Sequence, residues 1–309
     1  MPSAPTTGIC RRGLEARAAV LAAMRRWFDV HGYLEVPTPT LVPSAAMEEH
    51  LYPVAAGGGY LRTSPEFALK RVVAAGLGRV YEIGPCFRDR EAGPWHGQEF
   101  LMAEWYRVGA GLPDLMDEVE DLVGASARAL GQPVPGPWRR AAVRELFAEV
   151  TGVDLATARA ADLSPRDAPD WDAAFFRRWI EDVEPQLTAP TFVEAWPASQ
   201  AALAQVRDDG SWPVACRFEV FLGGIELANA FLELTDATEQ RRRFEHSNHG
   251  RRLAGEPAHP IDELFVEAVG RLPTTSGIAL GVDRLVAALC GWSSIAPGRV
   301  DRPFGHQVG

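Results

Sequence analysis

Apolar and polar residues alternate along residues 79–87 and again along residues 100–107, on either side of a polar segment that contains glycine and proline. A period of two is typical of strands that bury one face, so this stretch predicts two antiparallel strands joined by a long exposed loop. Arg88 stands where the first strand ends, while Glu104 and Tyr106 share one face of the second. A guanidinium matches a phosphate, and carboxylates opposite it can hold amines or a metal. An ordinary hairpin with solvated charges is the alternative interpretation.

Helical periodicity dominates the first part of the chain. Along residues 14–30, apolar side chains recur every three or four positions, which predicts an amphipathic helix, and an extended segment with two prolines follows it. Ser64 is a plausible N-cap for a second helix that ends near Ala74, with Pro65 and Glu66 in its first turn. Capping alone would explain these three residues.

Residues 131–190 differ from the rest of the chain, because they are poor in strand signals and rich in proline, alanine and arginine. We expect helices at 139–150 and about 170–182 there, in an insertion that lies over one side of the core. Strand patterns return after residue 190, and Gly223-Gly224 predicts the turn between two of them.

Acidic residues surround that turn. Glu219 precedes Glu226 by seven positions, so their carboxylates can converge if the two strands pair, and Glu226 and Glu233 bracket Asn229 on the second strand. Apolar residues surround each acid. Buried acids with no lysine nearby need a cation, and Mg²⁺ bridged by nucleotide phosphates is a natural one. Acids on an exposed sheet face are the alternative.

The last strong pattern is a glycine-rich strand that leads into a helix, SGIALGVDRLVAALCG. The absence of a side chain at Gly281 lets a flat ring or a phosphate approach the backbone. Arg284 near the start of the helix adds positive charge where a helix N-terminus already favours anions.

Composition narrows the class of protein. The 309 residues are 47% hydrophobic and 23% charged, which is globular, and no apolar run is long enough to span a bilayer. The N-terminal segment lacks a signal-peptide core, so we expect a cytoplasmic protein. The net charge of −10 disfavours a broad nucleic-acid surface. Isolated cysteines fit reduced thiols better than disulfides or a zinc site, and Lys70 is the only lysine.

Three of these segments together resemble the class II aminoacyl-tRNA synthetases of the aspartate–asparagine–lysine branch. RVYEIGPCFRDREAGPWHGQEFLMAEWYR is similar to motif 2, the first helix with its proline-containing strand to motif 1, and GIALGVDR to motif 3. The resemblance covers about residues 11–292 and is greatest to the short lysyl-tRNA synthetase paralogues that modify elongation factor P. It implies an α+β fold, an antiparallel sheet flanked by helices. The implied catalytic domain is 13–295, with a flexible leader at 1–12 and an irregular tail at 296–309.

The resemblance also implies roles for individual residues. Arg88 and Arg284 would be catalytic, holding the α- and γ-phosphates of ATP, and Glu219 and Glu226 would carry Mg²⁺. Arg90 stands where the family has a glutamate, and Gly97-Gln98 replaces Asn-Pro. Further ATP contacts would come from Asp89, Arg90, Gly97, Glu226, Leu227 and Gly281, and a diamino acid would lie among Ser64, Glu66, Tyr106, Asn229, Glu233 and Ala279.

The expected acceptor follows from the short N-terminal segment. Motif 1 begins near residue 14, which leaves no room for the five-stranded domain that reads the anticodon in lysyl-tRNA synthetases. The resemblance implies a homodimer that transfers (R)-β-lysine, or less readily lysine, to a lysine of elongation factor P, without anticodon recognition or a membrane. Ala279 stands where lysyl-tRNA synthetases usually have glycine, which fits an altered pocket. A synthetase-like enzyme with another acceptor and a non-catalytic amino-acid-binding paralogue are the alternatives.

Overall fold

The computed structural model describes residues 9–44, 47, 51–163 and 170–300, and the following ranges refer to them. The helices are α1 (Arg11–Val30), α2 (Glu66–Ala74), α3 (Leu112–Ala129), α4 (Val143–Thr151), α5 (Ala160–Leu163), α6 (Trp171–Arg178), α7 (Ala237–Leu253), α8 (Glu263–Val269) and α9 (Val282–Cys290). The strands are β1 (Leu34–Glu35), β2 (Leu41–Val42), β3 (Ala55–Ala56), β4 (Gly59–Leu61), β5 (Arg79–Phe87), β6 (Glu99–Val108), β7 (Arg139–Ala142), β8 (Thr191–Pro197), β9 (Val206–Asp208), β10 (Pro213–Leu222), β11 (Ile225–Leu232) and β12 (Thr275–Gly281).

One large sheet organises the chain. Its strand order is β1-β5-β6-β12-β11-β10-β8-β7, with β9 paired to β10, and a small sheet contains β2, β4 and β3. The interior pairs are antiparallel, whereas β1–β5 and β7–β8 at the two edges are parallel. The predicted α+β fold, with an antiparallel sheet flanked by helices, is confirmed, and parallel pairing is confined to the edges.

The predicted hairpin of alternating residues is present as β5 and β6. Their register runs from Arg79 opposite Arg107 to Phe87 opposite Glu99, and the amide N–H of Arg88 donates to the carbonyl of Gln98 at 2.8 Å. Arg88 therefore leaves the sheet at the mouth of the loop, as the alternation predicted.

Alternation along β6 divides the core into two parts. Trp105 lies in a cluster where α1, α3 and α9 cover one face of the sheet, and Phe28 of α1 stacks on Tyr81 there at 4.0 Å between ring centroids. Tyr106 points to the other face, against Leu69 of α2 and Phe265 of α8. Fully burying an aromatic side chain of this kind contributes about 1.5–3 kcal/mol, so both faces anchor the strand.

The insertion differs from the sequence prediction. The predicted helix at 139–150 is wrong for its first four residues, which form β7 and pair in parallel with β8, and α4 begins only at Val143. The physical reason is pairing with a distant strand, which overrides local helical spacing. The second predicted helix, about 170–182, is confirmed as α6 and a π-helical turn at Trp179–Val183. A separate hydrophobic cluster around Phe175 holds the insertion against β8 and β10.

The first helix begins at Arg11, three residues before its predicted start, so the last two residues of the predicted leader are helical. Residues 1–8 and most of the predicted tail, 301–309, lie outside the described residues. None of the helices in the described ranges is long and apolar enough to cross a membrane. All four cysteines are free.

Candidate active site

A cleft opens over β6, β12 and β11, beside α2 and the loop that joins β5 to β6. The register aligns Glu104, Ala279 and Asn229 in one row across these three strands. Tyr106 lies opposite Gly277 two positions further along, on the same face. Twelve predicted site residues line the cleft: Ser64, Glu66, Arg88, Gly97, Tyr106, Glu226, Leu227, Asn229, Glu233, Ala279, Gly281 and Arg284.

One end of the cleft is acidic and buried. The N-cap of α2 is Pro65, one residue after the predicted Ser64, although Ser64 Oγ accepts the amide N–H of Glu66 at 3.0 Å. The Ser64 hydroxyl donates to Glu104 Oε2 at 2.5 Å. The hydroxyl of Tyr106 donates to Glu104 Oε1, also at 2.5 Å. Ser64 therefore contacts the first residue of α2 and orients a buried carboxyl group at the same time.

Two of the acids at this end, Glu104 and Glu233, have raised pKa values. Burial, followed by repulsion from Glu66, raises the pKa of Glu104 to about 8. Burial also raises the pKa of Glu233 to about 8, although Lys70 opposes the shift. Desolvation and then the charge of Glu104 raise the pKa of the Tyr106 hydroxyl. A positively charged ligand would relieve these costs, because it stabilises the ionised carboxylates.

Glu233 has an unsatisfied oxygen. Its side chain is fully buried, and within the described part of the chain Oε1 has no hydrogen-bond partner. Gly277 faces that oxygen, since a Cβ added there would lie 2.5 Å from it. A buried acceptor without a donor is costly, so Glu233 is poised to accept one from a ligand in the cleft.

The expectation that the acids around the Gly223-Gly224 turn have no lysine nearby is wrong for Glu233. Lys70 Nζ lies 2.6 Å from Glu66 Oε1 and 2.6 Å from Glu233 Oε2. Glu66 and Lys70 are four residues apart on α2, a spacing that places them on one face of the helix. The approach of Glu233, which follows β11, depends on the tertiary fold and has no local sequence signal.

The other end of the cleft carries the two predicted phosphate arginines. Arg88 stacks over the ring of Phe100 at 5.1 Å from the centroid and lies 3.5 Å from Glu91. Arg284 donates to the carbonyl of Trp95 at 3.1 Å and to that of Glu226 at 2.9 Å. Both arginines line the cleft, and Arg284 at the start of α9 adds to the positive end of that helix.

Two predicted ATP contacts do not line the cleft. The carboxylate of Asp89 accepts from Gln98 at 3.1 Å. Arg90 adopts a left-handed backbone conformation, pairs with Glu256 at 2.7 Å and stacks on Tyr52 at 4.0 Å. Arg90 is therefore satisfied away from the cleft, and Glu91, the next residue, lines it.

The predicted metal acids do not form a compact ligand cluster. Glu219 is buried, pairs with Arg217 and does not line the cleft, whereas Glu226 does and lies 3.3 Å from Arg284. Burial, opposed by Arg217 and reinforced by Glu226 and Glu184, raises the pKa of Glu219 to about 8. Among the described residues no three acids, histidines or cysteines are grouped to hold a metal ion. Mutual repulsion of the acids fits a cation whose remaining ligands are phosphate oxygens or water.

Two further residues that line the cleft are Glu104, which the sequence offered only as a carboxylate on the face of Tyr106, and His96, to which it assigned no role. Glu104 was placed on the face of Tyr106, and period-two alternation was sufficient to include it in the site. His96 Nε2 lies 2.7 Å from Nη2 of Arg284. No sequence pattern indicates this contact, because it depends on how the loop between β5 and β6 folds back. Burial and the neighbouring Arg284 lower the pKa of His96, so its ring is suited to accept that hydrogen bond.

Comparisons with known proteins cover nearly the whole chain. The family model for class II tRNA synthetases (D, K and N) matches residues 7–297. Proteins named elongation factor P–(R)-β-lysine ligase match from Yersinia enterocolitica (41% identical; 94% of this chain and 93% of that protein) and Salmonella typhi (41%; 91% of each). The protein of that name from Erwinia tasmaniensis is 41% identical over 87% of this chain and 88% of its own.

Proposed function

Because this chain belongs to the class II tRNA synthetases of the D, K and N group, we propose that it activates (R)-β-lysine, or lysine, with ATP and transfers it to a lysine side chain of elongation factor P. The observation that carries the proposal is the polarity of the cleft. Two arginines face one end, and three buried carboxyl groups occupy the other. The relatives' shared name supports the choice of amino acid and acceptor.

Activation needs positioning more than covalent help from the protein. The carboxylate of the amino acid attacks the α-phosphorus of ATP, and the bond to pyrophosphate breaks, which leaves an aminoacyl-adenylate. Arg88 would stabilise charge at the α-phosphate and Arg284 at the γ-phosphate. Such preorganised donors lower the barrier because they are already aimed at the charge that develops.

The acidic end would select the amine groups. An ammonium can donate to Glu233 Oε1, the buried oxygen that otherwise lacks a partner, and to the carboxyl of Glu104. A neutral or acidic side chain would leave Glu233 Oε1 unpaired, which costs about 1–3 kcal/mol. A diamino acid is therefore the expected substrate class.

We infer that Mg²⁺ accompanies ATP near Glu226, with Glu219 behind it. The ion would neutralise phosphate charge, and the protein would contribute one or two carboxylates as magnesium sites commonly do. Burial, and to a smaller extent the charges of Glu226 and Glu184, raises the pKa of Glu219, so a cation beside these acids would lower the cost of ionising them.

In the transfer step the acceptor amine must be neutral, because only its lone pair can attack the carbonyl carbon of the adenylate. The new amide bond forms as the bond to AMP breaks and the amine loses a proton. Purified protein with ATP, Mg²⁺ and (R)-β-lysine should add one residue to a single lysine of elongation factor P, measured as an intact-mass shift. The same mixture should leave bulk tRNA uncharged, and efficient tRNA charging with an unmodified factor would refute the proposed acceptor.

We also propose a cytoplasmic homodimer. The apolar side chains of Val30, Leu34 and Leu41, at the end of α1 and in β1 and β2, are at least half exposed in the single chain. They lie in the segment that resembles motif 1, so a second copy would bury them in a two-fold interface. Leu34→Arg should shift sedimentation toward the monomer, and a fully active monomer at micromolar concentration would contradict the dimer.

A further inference from the structure

The only lysine of the chain is buried beneath the acidic end of the cleft. Lys70 has a side chain 2% exposed and does not line the cleft. Its Nζ touches one oxygen of Glu66 and one oxygen of Glu233, and the ring of Phe265 lies 5.9 Å away. The ammonium therefore joins α2 to the end of β11 from behind the site.

This contact keeps a charge inside the protein. Burial alone would favour loss of the proton from Lys70, but Glu233 and Glu66 outweigh it and raise the pKa of Lys70. The benefit is mutual, since the same ammonium lowers the cost of ionising Glu233. Removing one partner of such a buried pair leaves the other charge uncompensated.

We propose that Lys70 is a positioning residue, a resident ammonium that ties Glu66 to Glu233 and sets how these two carboxylates meet a diamino acid. Lys70 uses Oε1 of Glu66 and Oε2 of Glu233, so the second oxygen of each carboxylate is left for the two amines of the substrate. The inference rests on the proposed function for the identity of that substrate. It goes beyond that function in assigning specificity to a side chain that does not reach the ligand.

Two substitutions separate charge from volume. Lys70→Met keeps most of the side-chain volume without the charge, and we expect the KM for the diamino acid in ATP–pyrophosphate exchange to rise at least roughly tenfold. The KM for ATP should change little, because the phosphate arginines lie at the other end of the cleft. Lys70→Ala removes a propylammonium-sized group, so added propylammonium should restore exchange, whereas n-propanol, its neutral counterpart, should not.

A matched control is another buried cation outside the cleft. Arg62 has a side chain 2% exposed and pairs with Glu82 at 2.8 Å. Arg62→Met should lower the melting temperature without raising the KM for the diamino acid. An unchanged KM in Lys70→Met, or equal rescue of Lys70→Ala by the amine and the alcohol, would overturn the proposal and leave Lys70 a space-filling residue.

A second measurement does not depend on activity or on folded Lys70 variants. Because the chain has one lysine, labelling with ¹⁵N-lysine gives a single side-chain signal, that of Lys70. The signal should remain that of an ammonium above the ordinary lysine pKa of about 10.4 and should lose this protection in Glu233→Gln. A neutral amine below that pH would reject the resident ammonium. If the signal behaves as expected but wild-type protein activates no diamino acid, the proposed function fails while the Glu66–Lys70–Glu233 contact stands.

Discussion

Gly277 offers the sharpest test of the acidic end of the cleft, because a methyl group at this position would overlap neighbouring side chains. An added Cβ would lie 2.2 Å from Cε1 of Tyr106 and 2.5 Å from Oε1 of Glu233. Both distances are far below van der Waals contact. Gly277→Ala must therefore displace the two side chains that bound the acidic end, although Gly277 itself carries no functional group.

The expected magnitude follows from these contacts. Overpacking a filled site costs about 1–3 kcal/mol. Moving the ring of Tyr106 also breaks its 2.5 Å hydrogen bond to Glu104, which is worth about 1 kcal/mol net. If the substrate needs the undisturbed arrangement, about 2–4 kcal/mol of binding is lost, and the KM for the amino acid rises roughly 30- to 1000-fold.

The assay is ATP–pyrophosphate exchange measured against the concentration of (R)-β-lysine, alongside thermal melting. Gly78→Ala is the matched control, because a Cβ at that position meets nothing within 4 Å. A Gly277→Ala protein with wild-type KM and melting temperature would refute the proposal that the amines of the substrate bind beside Tyr106 and Glu233.

The remaining predictions concern single groups of the cleft. Arg88→Ala should abolish exchange while the melting temperature is retained, since loss of one such donor costs on the order of 3 kcal/mol in the transition state; near-normal exchange would remove Arg88 from the site. Glu233→Gln should weaken selection for diamino over monoamino acids in the same assay, and Tyr106→Phe should have a smaller effect of about 1 kcal/mol; unchanged selection in both would place the amine pocket elsewhere. The pKa values of Glu104 and Glu233 are raised to about 8 by folding, so the folded state binds more protons than the unfolded state between about pH 4.5 and pH 8. The free energy of unfolding without ligand should therefore fall as the pH rises through this window, and Glu233→Gln should reduce that slope in chemical denaturation; a slope of opposite sign would show that these acids are not protonated on folding.

The parts of the fold that were predictable have short-range causes. The β5–β6 hairpin follows from period-two alternation, and the Gly223-Gly224 turn adopts the left-handed conformation that glycine permits. Twelve residues that the motif matches assigned to the site come from distant parts of the chain, and all of them line one cleft. Local patterns and motifs were therefore sufficient to predict a residue's position where its own strand or turn determines that position.

The parts that were missed depend on partners far away in sequence. Residues 139–142 form a strand only because β8 lies beside them, and two arginines in that segment give no strand signal. Arg90 turns away from the cleft toward Tyr52 and Glu256, which no motif position could indicate. The pairing of Lys70 with Glu233 spans the chain from α2 to the end of β11, so the sequence alone left both groups without their partner.

The burial of the single lysine has a practical consequence for chemistry on amines. An acyl-adenylate that leaves the cleft, or a lysine-directed crosslinker added to the mixture, finds no exposed ε-amine on this chain. The enzyme itself is therefore not expected to be acylated at lysine. In a reaction with a protein acceptor, any acyl group found on a lysine ε-amine marks the acceptor alone, and the enzyme needs no removal before the modified lysine is mapped.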